Sequence, residues 1–499
     1  MPIANRAKMV GSLVKPAGRR RDWRAFCRVT LLAISVIAVA QAGGAPLYPL
    51  KKSTNGRYLV DQTSTPFLMI GDTAWSLIVN ISEADAAAYF ANRRAAGFNS
   101  VMINLLCNTY TGGRGDSSTY DGIRPFNGLI SGKTTYDLAT PNEIYFAHVD
   151  RIIALAASYG LNVFLDPIDT GGYLRPEGTP TMQDNGAAKL RAYGEYLGHR
   201  YRDFPNIVWQ HGNDYDREYW KIAGNETLVS SVVLGIKGND PNHLHTIELG
   251  APGGSYDDPF WADIVDLDAT YTWDPTYDQV LIEYNRSRVP VYVVEDHYEG
   301  EAVGWPPAHN NSERGTPMIN RRQDYWTMTC GATGKLYGHH NIWTFSSGWA
   351  GSLNTQAVSE LGHMAALFSS RRWYDLVPGS RAVVVSGEGT YAATGKVSAS
   401  DYVTAARTAD GSLVIAYLPT RRTVTIDMSK LAGPVRARWY DPTTGAYSPI
   451  AGTPFGNTGS HSFTPAGDNG AGDGDWVLVL EATATPVSRL PPLHPGHTP

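Results

Sequence analysis

Short apolar runs that end abruptly in polar residues recur along residues 46–372, separated by stretches with the amphipathic spacing of helices. A strand buried between helices gives such a run, because both of its faces contact apolar neighbours. The runs end near residues 72, 105, 166, 210, 249, 270, 295 and 345. Eight strands that alternate with helices predict a (β/α)8 TIM barrel, in which all the polar strand ends meet at one open face.

The pattern changes after residue 372. Residues 373–483 hold short runs in which apolar and polar residues alternate, divided by Gly, Pro, Asp and Ser turns. Such runs are typical of antiparallel strands with one buried face, and they predict a C-terminal β-sandwich. Residues 484–499 are rich in Pro and are predicted to be a tail outside this domain. A chain of 499 residues, 42% of them hydrophobic, is long enough for both folded units.

Residues 1–42 follow a third pattern. Basic residues at 19–28 precede an apolar run at 29–40 and an Ala-Gln-Ala sequence at 40–42. This order predicts a signal peptide, so we expect a secreted or periplasmic protein, exported by the general or the twin-arginine route. The apolar run is short for a stable membrane span, and we expect none in the mature chain.

Charge and cysteine content narrow the possible partners. Without residues 1–42 the chain would carry 34 basic and 46 acidic residues, a formal net charge of about −12. Nucleic acid is therefore not an expected partner, because its phosphates repel an acidic protein. Only Cys107 and Cys330 remain, too few for a disulfide framework or a Cys-based zinc site. Two buried, unpaired thiols are favoured over one disulfide.

Two of the predicted strand ends carry the acids with the clearest chemical role. Asp214 ends the fourth strand and Glu295 ends the seventh, so a closed barrel would bring both to one cavity. Two carboxylates can hydrolyse a glycosidic bond, with retention at a separation of about 5–5.5 Å and with inversion at about 6.5–9.5 Å. The sequence leaves both geometries open. The alternative role for these acids is ion pairing or capping at the strand ends.

Aromatic and hydrogen-bonding residues near the same strand ends suit a sugar ligand. The candidate substrate-binding residues are Asp72, Trp75, Asn104, Trp209, Asn213, Tyr271, His297, Tyr298, Glu299 and Trp343. His339 and His340 lie outside any His-Glu-x-x-His motif, so packed or sugar-contacting histidines are favoured over metal ligands. We predict neither a metal nor a cofactor.

Four segments resemble the apiosidase-like glycoside hydrolase family. They are residues 71–75 (GDTAW), 209–214 (WQHGND), 290–300 (PVYVVEDHYEG) and 337–343 (YGHHNIW). The resemblance implies a retaining glycosidase on a (β/α)8 barrel, with Asp214 as the acid/base and Glu295 as the nucleophile. Members include enzymes that release apiose from plant pectin. Asn213 replaces a more usual Gly and Asp296 a frequent Pro, so the resemblance does not carry the sugar specificity with it.

The C-terminal part resembles a domain named the putative collagen-binding domain of a collagenase. The segments that carry this resemblance are residues 372–378 (RWYDLVP), 417–419 (YLP), 438–442 (RWYDP) and 476–479 (WVLV). We do not expect collagen binding, because a small sandwich beside a barrel more often stabilises the barrel or shapes its cleft.

These features together predict a secreted glycoside hydrolase that acts on a plant or microbial polysaccharide. We expect an oligo- or polysaccharide chain as the ligand of its cleft. Glu295 would attack the anomeric carbon and Asp214 would protonate the leaving oxygen. The alternative is a carbohydrate- or matrix-binding protein that keeps the barrel without the chemistry. The presence of both carboxylates disfavours this alternative.

Overall fold

The computed structural model describes residues 45–176 and 178–483. The predicted signal peptide and the Pro-rich tail lie outside these residues. Eight parallel strands form the sheet of a (β/α)8 barrel, as predicted. They are β1 Met69–Thr73, β2 Ser100–Asn104, β3 Asn162–Asp166, β4 Ile207–Tyr215, β5 His245–Leu249, β6 Asp268–Tyr271, β7 Val291–Glu295 and β8 Gly334–Tyr337.

A helix follows each strand. The helices are α1 Glu83–Ala95, α2 Glu143–Ser158, α3 Thr181–Tyr201, α4 Asn225–Lys237, α5 Pro259–Ala262, α6 Thr276–Arg286, α7 Pro317–Thr329 and α8 Gln356–Ser369. Several begin at side-chain caps, as where the Ser82 hydroxyl accepts a hydrogen bond from the Asp85 amide. No helix in the described ranges is both long and apolar enough to cross a membrane.

The hydrogen-bonded strand order is β5-β4-β3-β2-β1-β8-β7-β6. The sheet is nearly closed. Between β5 and β6 the ladder gives way to single contacts, such as the Leu267 amide donating to the His245 carbonyl at 3.2 Å. Beside β6, the short strand Gly253–Gly254 adds an antiparallel pair. This closure makes all eight strand ends line one opening.

Side chains on each strand alternate between two cores. On β3, Phe164 points into the barrel and packs near Tyr292, with 5.5 Å between ring centroids. Its neighbours Val163 and Leu165 face the surrounding helices. A small sheet of strands Lys51–Lys52, Leu59–Val60 and Pro66–Phe67 adds Leu59 and Phe67 to the interior core. Both cores explain why the strands are apolar along their whole length.

The prediction for the eighth strand is wrong. The apolar segment 341–345 was expected to be this strand, but it forms hydrogen-bonded turns in which Ile342 is buried. The true strand β8 contains Lys335, whose amine lies between Asp296 at 2.5 Å and Asp324 at 2.7 Å. A buried ion cluster therefore replaces an apolar residue in β8, and the sequence pattern does not distinguish it from a loop.

The C-terminal strands form two antiparallel sheets. They are β9 Leu376–Pro378, β10 Val384–Ser386, β11 Thr404–Thr408, β12 Leu413–Leu418, β13 Val424–Asp427, β14 Val435–Tyr440, β15 Tyr447–Pro449, β16 Ser460–Phe463 and β17 Trp476–Ala482. The larger sheet has the order β9-β11-β12-β17-β14-β15 and the smaller one β10-β13-β16. Apolar side chains from both sheets share one core, as a β-sandwich requires.

The outer face of the larger sheet packs on the barrel helices. Tyr417 of β12 stacks on Tyr325 of α7, with 5.0 Å between ring centroids. Buried Arg321 of α7 contacts Asp475 at 2.8 Å and Glu360 of α8 at 2.6 Å. Stacked rings and a buried ion network join the sandwich firmly to α7 and α8.

The two remaining cysteines, Cys107 and Cys330, are buried and unpaired, which confirms the expectation.

Candidate active site

A cleft of about 810 Å³ opens at the polar strand ends of the barrel. Both Asp214 and Glu295 line it, together with a set of aromatic residues. The aromatic residues are Trp75, Tyr110, Tyr219, Tyr271, Trp273, Tyr298, Trp305 and Trp343. The cleft thus combines two carboxylates with flat apolar faces, which is the composition of a sugar-binding site.

Glu295 ends strand β7, after a register shift in its pairing with β6, and is 8% exposed. The Tyr271 hydroxyl donates to its Oε1 at 2.5 Å, and the Tyr298 hydroxyl donates to its Oε2 at 2.9 Å. Burial raises the pKa of Glu295 well above its ordinary value, and the charge of Asp214 raises it further. The two phenols act in the opposite direction, because they stabilise the carboxylate form.

Asp214 is presented by a distorted backbone. Gly212, Asn213 and Asp214 have φ angles of 91°, 47° and 55°, and the pairing of β4 with β5 shifts register between His211 and Tyr215. A Cβ atom at Gly212 would lie 2.4 Å from the Glu248 carbonyl oxygen, so only glycine fits there. Left-handed conformations are costly for other residues, and three in succession concentrate strain at this strand end.

Buried hydrogen bonds hold this distortion in place. The Asn213 side-chain amide donates to Asn104 Oδ1 at 2.9 Å, and the Thr170 hydroxyl donates to the Asn213 carbonyl at 2.7 Å. Asn tolerates positive φ better than most residues do. The Asn that replaces the family's usual Gly is therefore compatible with the backbone at this position.

The Asp214 carboxyl group is partly exposed to the cleft. The Tyr110 hydroxyl donates to its Oδ2 at 2.9 Å. Burial raises the pKa of Asp214, whereas the hydrogen bond from Tyr110, the charge of Arg175 and hydrogen bonding with Tyr271 lower it. Tyr271 therefore acts on both carboxyl groups: it donates to Glu295 and also lowers the pKa of Asp214.

A third carboxyl group lies beneath this pair. Glu248 of β5 is fully buried, and its Oε1 accepts a hydrogen bond from the Asp214 amide at 3.4 Å. Burial raises its pKa well above the ordinary value, as do the charges of Glu295 and Asp214. Burial and the neighbouring charges thus favour the neutral form of Glu248, which fixes the backbone of Asp214 through its hydrogen bond. Glu248 is not among the residues predicted from the sequence, although an acid one residue before the end of a predicted strand was an available signal.

Arg175 and Asp216 form an ion pair on the cleft wall, with 2.9 Å between Nη1 and Oδ2. The Arg175 guanidinium lies over the Tyr219 ring, 5.0 Å from its centroid. This contact fixes the guanidinium near Tyr110, whose hydroxyl is 3.5 Å away. The positive charge in this wall is therefore already balanced by a carboxylate.

Four of the predicted substrate-binding residues line the cleft. These are Trp75, Tyr271, Tyr298 and Trp343. Trp75 and Trp343 meet edge to face, with 5.6 Å between ring centroids. Although segment 341–345 is not a strand, the turn that replaces it still brings Trp343 to the cleft.

The other predicted residues lie away from the cleft surface. Asp72 is buried against Arg93, with 2.5 Å between Oδ2 and Nε. Trp209 is fully buried, and its Nε1 donates to Asp240 at 2.8 Å. Asn104 and Asn213 form the buried pair beneath Asp214 described above.

His297 and Glu299 are also buried beside the cleft rather than on its surface. The His297 backbone amide donates to Gln323 at 3.3 Å, and Glu299 accepts from the Thr355 hydroxyl at 2.6 Å. Direct contact with substrate stays a prediction for every residue of this set. The structure describes supporting roles for those beneath the surface.

Several cleft residues were not singled out from the sequence. Trp273 follows β6 by two positions, so extending the strand-end rule into the next loop would have found it. Four others lie in longer loops, where no local pattern indicates which way a side chain points: Tyr110, Arg175, Glu301 and Trp305. Within the described ranges, no group of three or more His, Cys, Asp or Glu side chains is arranged to hold a metal ion.

Two family models match the chain. Residues 53–375 match the model of the family described as "Apiosidase-like, catalytic domain", and residues 390–481 match the "Putative collagen-binding domain of a collagenase". No curated protein sequence matches the chain significantly.

Solved structures show the same fold. One glycoside hydrolase has a TM-score of 0.71 at 23% identity, over 88% of this chain and 98% of its own. A glycoside hydrolase family 5 protein from Bacteroides vulgatus ATCC 8482 has a TM-score of 0.72 at 22% identity, over 88% of this chain and 94% of its own. The catalytic-domain match covers more than half of the sequence, and this protein therefore belongs to the apiosidase-like family of glycoside hydrolases.

Proposed function

We propose that this protein hydrolyses a glycosidic bond in a plant or microbial polysaccharide by a retaining, two-carboxylate mechanism. Glu295 attacks the anomeric carbon while Asp214 transfers its proton to the leaving oxygen, and the bond between that carbon and oxygen breaks. Water then gives a proton to Asp214 and attacks the same carbon, which releases Glu295 from its ester bond. The anomeric configuration is retained because inversion occurs twice.

The observation that carries this proposal is the pair of carboxyl groups, Asp214 and Glu295, that line one cleft at the strand ends. The two groups interact, because the charge of Asp214 raises the pKa of Glu295. The resemblance to the apiosidase-like family favours the retaining geometry, in which the carboxyl groups lie about 5–5.5 Å apart, over the wider one that admits a water molecule.

The electrostatics of the pair favour a shared proton. The pKa of each carboxyl group is raised by burial, and that of Glu295 also by the charge of Asp214, so ionisation of one group disfavours ionisation of the other. Glu295 receives two phenol hydrogen bonds that stabilise its anion. Asp214 faces the open cleft, where a leaving oxygen can take the proton.

The charges of the cleft favour an uncharged sugar. Five acidic residues line it, namely Asp214, Asp216, Glu218, Glu295 and Glu301. Arg175 is its single basic residue among the described lining side chains, and Asp216 already pairs with it. A uronic acid bound here would meet like charges without a free cation, so we propose a neutral glycosyl unit at the scissile bond.

Export through the predicted signal peptide fits such a substrate, because polysaccharides lie outside the cell. We propose that the mature protein is secreted or periplasmic. Fractionation of the native host into cytoplasmic, periplasmic and culture-medium samples tests this part of the proposal, and recovery of the full-length chain in the cytoplasm alone contradicts it.

Release of reducing sugar from a panel of pectic, hemicellulosic and microbial glycans tests the activity. The native protein is compared with Glu295→Ala, Asp214→Ala and the control Asp203→Ala, which removes a surface carboxylate 86% exposed. We expect hydrolysis by the native and control proteins only. The first product, followed by NMR before mutarotation, should have the anomeric configuration of the substrate.

Activity that survives Glu295→Ala contradicts the nucleophile assignment, and an inverted first product contradicts the retaining mechanism. A native protein that binds a glycan of the panel but cleaves none supports a carbohydrate-binding protein instead.

A further inference from the structure

A tryptophan on the cleft rim has no part in the chemistry of the two carboxyl groups. Trp305 is 50% exposed and lies between the paired strands Ala302–Val303 and Glu313–Arg314, in the loop that joins β7 to α7. It lines the same cleft as Glu295. An indole combines a flat apolar face with a polar N–H, which suits stacking on a sugar ring in contact with water.

A buried carboxylate fixes the loop that carries this tryptophan. Asp274 is 3% exposed and follows Trp273, another residue of the cleft. Its Oδ1 accepts from the Asn311 side-chain amide at 3.0 Å, and the same amide donates to the Trp305 carbonyl at 2.9 Å. Its Oδ2 lies 2.7 Å from Nδ1 of His309. Asp274 therefore joins the loops that carry Trp273 and Trp305.

The C-terminal region contacts both loops. The Gly395 amide donates to Asp274 Oδ1 at 2.9 Å, and the Ser398 amide donates to Glu313 Oε1 at 3.2 Å. Val397, between these two, is fully buried in the core shared by barrel and sandwich. The segment 391–400 is thus anchored in the core and holds the cleft rim from behind.

We propose that Trp305 forms a subsite for an uncharged sugar unit beyond the one at the scissile bond, and that segment 391–400 positions the loops that carry Trp305 and Trp273. The proposal deepens the proposed function, on which it rests for the location of the scissile bond. Asp274 and Glu313 act as positioning residues, because they hold the loops and do not line the cleft themselves. The C-terminal region then contributes to affinity for longer chains.

Binding can be measured without turnover, in full-length protein carrying Glu295→Gln. Titration calorimetry would use xylan-, mannan- and galactan-derived oligosaccharides of two to six sugars. We expect affinity for at least one series to rise with chain length. Adding Trp305→Ala should weaken binding of the longest member by about 3- to 10-fold, the scale of one aromatic contact, and leave the shortest unchanged.

Two further substitutions test the positioning role. Glu313→Ala removes the acceptor of the Ser398 amide from a partly exposed site, and Asp274→Asn weakens the central junction. Both should lower affinity for the longest oligosaccharide more than for the shortest. Lys396→Ala, in the same segment but exposed, is the matched control. It should change the affinity for neither oligosaccharide.

In the active background, Trp305→Ala and Glu313→Ala should raise KM for the longest substrate and leave kcat and Tm unchanged, which a merely structural role would not produce. The proposal is overturned if no oligosaccharide binds, or if the gain in affinity with length survives Trp305→Ala. It is also overturned if Glu313→Ala and Asp274→Asn bind the longest oligosaccharide as tightly as the control does, while their Tm values show that both variants are folded. Length-dependent binding without hydrolysis would retain the subsite and reject the proposed activity.

Discussion

The fourth and seventh strands present their carboxyl groups by different physical means. β7 has no residue with positive φ, and Glu295, which follows a register shift in the pairing with β6, is oriented by two phenol hydroxyls. Near the end of β4, in contrast, three successive residues have positive φ, and the last of them is Asp214. One carboxyl group depends on side-chain hydrogen bonds and the other on a strained backbone.

This difference suits the roles proposed for the two groups. A nucleophile needs a fixed oxygen with a stabilised negative charge, and the phenols provide both. A proton donor must face the leaving group from the side of the cleft, and Asp214 is partly exposed there. We therefore expect substitutions near Glu295 to act mainly on charge, and substitutions near Asp214 to act on geometry and stability.

The largest effect should come from Glu295→Gln, which keeps the shape of the side chain and removes the nucleophile. We expect kcat to fall by about 10⁴-fold or more, with Tm unchanged or raised, because a buried charge is lost. Steady-state kinetics on the best glycan of the panel and a thermal melt measure both. A loss of less than tenfold would show that the strand end of β7 does not carry the covalent step.

Asp214→Asn should lower the rate by about 10²- to 10⁴-fold, the range of general acid–base catalysis. Added azide tests whether Asp214 faces the anomeric carbon, since azide can attack the glycosyl-enzyme without a general base. With an aryl glycoside, whose leaving oxygen departs without a proton from Asp214, we expect added azide to restore turnover and to yield a glycosyl azide of retained configuration. Absence of rescue, with substrate binding intact, would contradict the acid/base role.

Gly212→Ala tests the strained backbone. Its Cβ would lie 2.4 Å from the Glu248 carbonyl oxygen, whereas Gly97, with φ 95°, has no atom within 4 Å of the same position. Gly97→Ala should lower the free energy of unfolding by about 1–2 kcal/mol. Gly212→Ala should cost about 1–3 kcal/mol more.

Displacement of Asp214 by Gly212→Ala should also lower kcat by about 10²-fold, since small errors of position are costly in catalysis. Gly97→Ala should leave kcat unchanged. Urea unfolding and kinetics of both variants measure these effects. Equal stability losses in the two variants would show that the close approach to Glu248 is relieved without cost.

Tyr298→Phe should have the smallest effect and should act through charge. The Tyr298 hydrogen bond lowers the pKa of Glu295, so its removal should raise that pKa further. Attack requires ionised Glu295, and the acid limb of the kcat/KM profile should therefore move to higher pH, with about a tenfold loss at the optimum. A limb that stays in place would show that Tyr271 alone stabilises the nucleophile.

Much of the barrel follows from the local pattern of the sequence. Seven of the eight strands lie where apolar runs end in polar residues, because a strand buried on both faces leaves a visible apolar run. The sequence pattern does not reveal β8, because Lys335 is buried by pairing with two carboxylates outside its own strand, Asp296 and Asp324. Ile342 and Trp343 gave an apolar run for another reason, since they pack in a turn beside the cleft.

The candidate site divides in the same way. Asp214 and Glu295 were found from strand ends alone, because a closed barrel brings all such ends to one opening. Trp209 was expected at the rim, but its side chain points outward toward Asp240, a direction set by the pleat and register of β4. Tyr110, Arg175 and Trp305 reach the cleft from long loops, whose paths depend on contacts remote in the sequence.

The sequence by itself determined the barrel class, the C-terminal sandwich, the family and the two acids at its strand ends. Only the tertiary structure decided how those acids are held. Tyr271 and Tyr298 hold Glu295, and Gly212 and the buried Asn213 hold Asp214. The physical reason is the distance along the sequence over which each property is set. Apolar periodicity reports the burial of each residue's own segment, whereas the hydrogen bonds, pKa shifts and backbone strain of the site arise between segments that meet only in the folded chain.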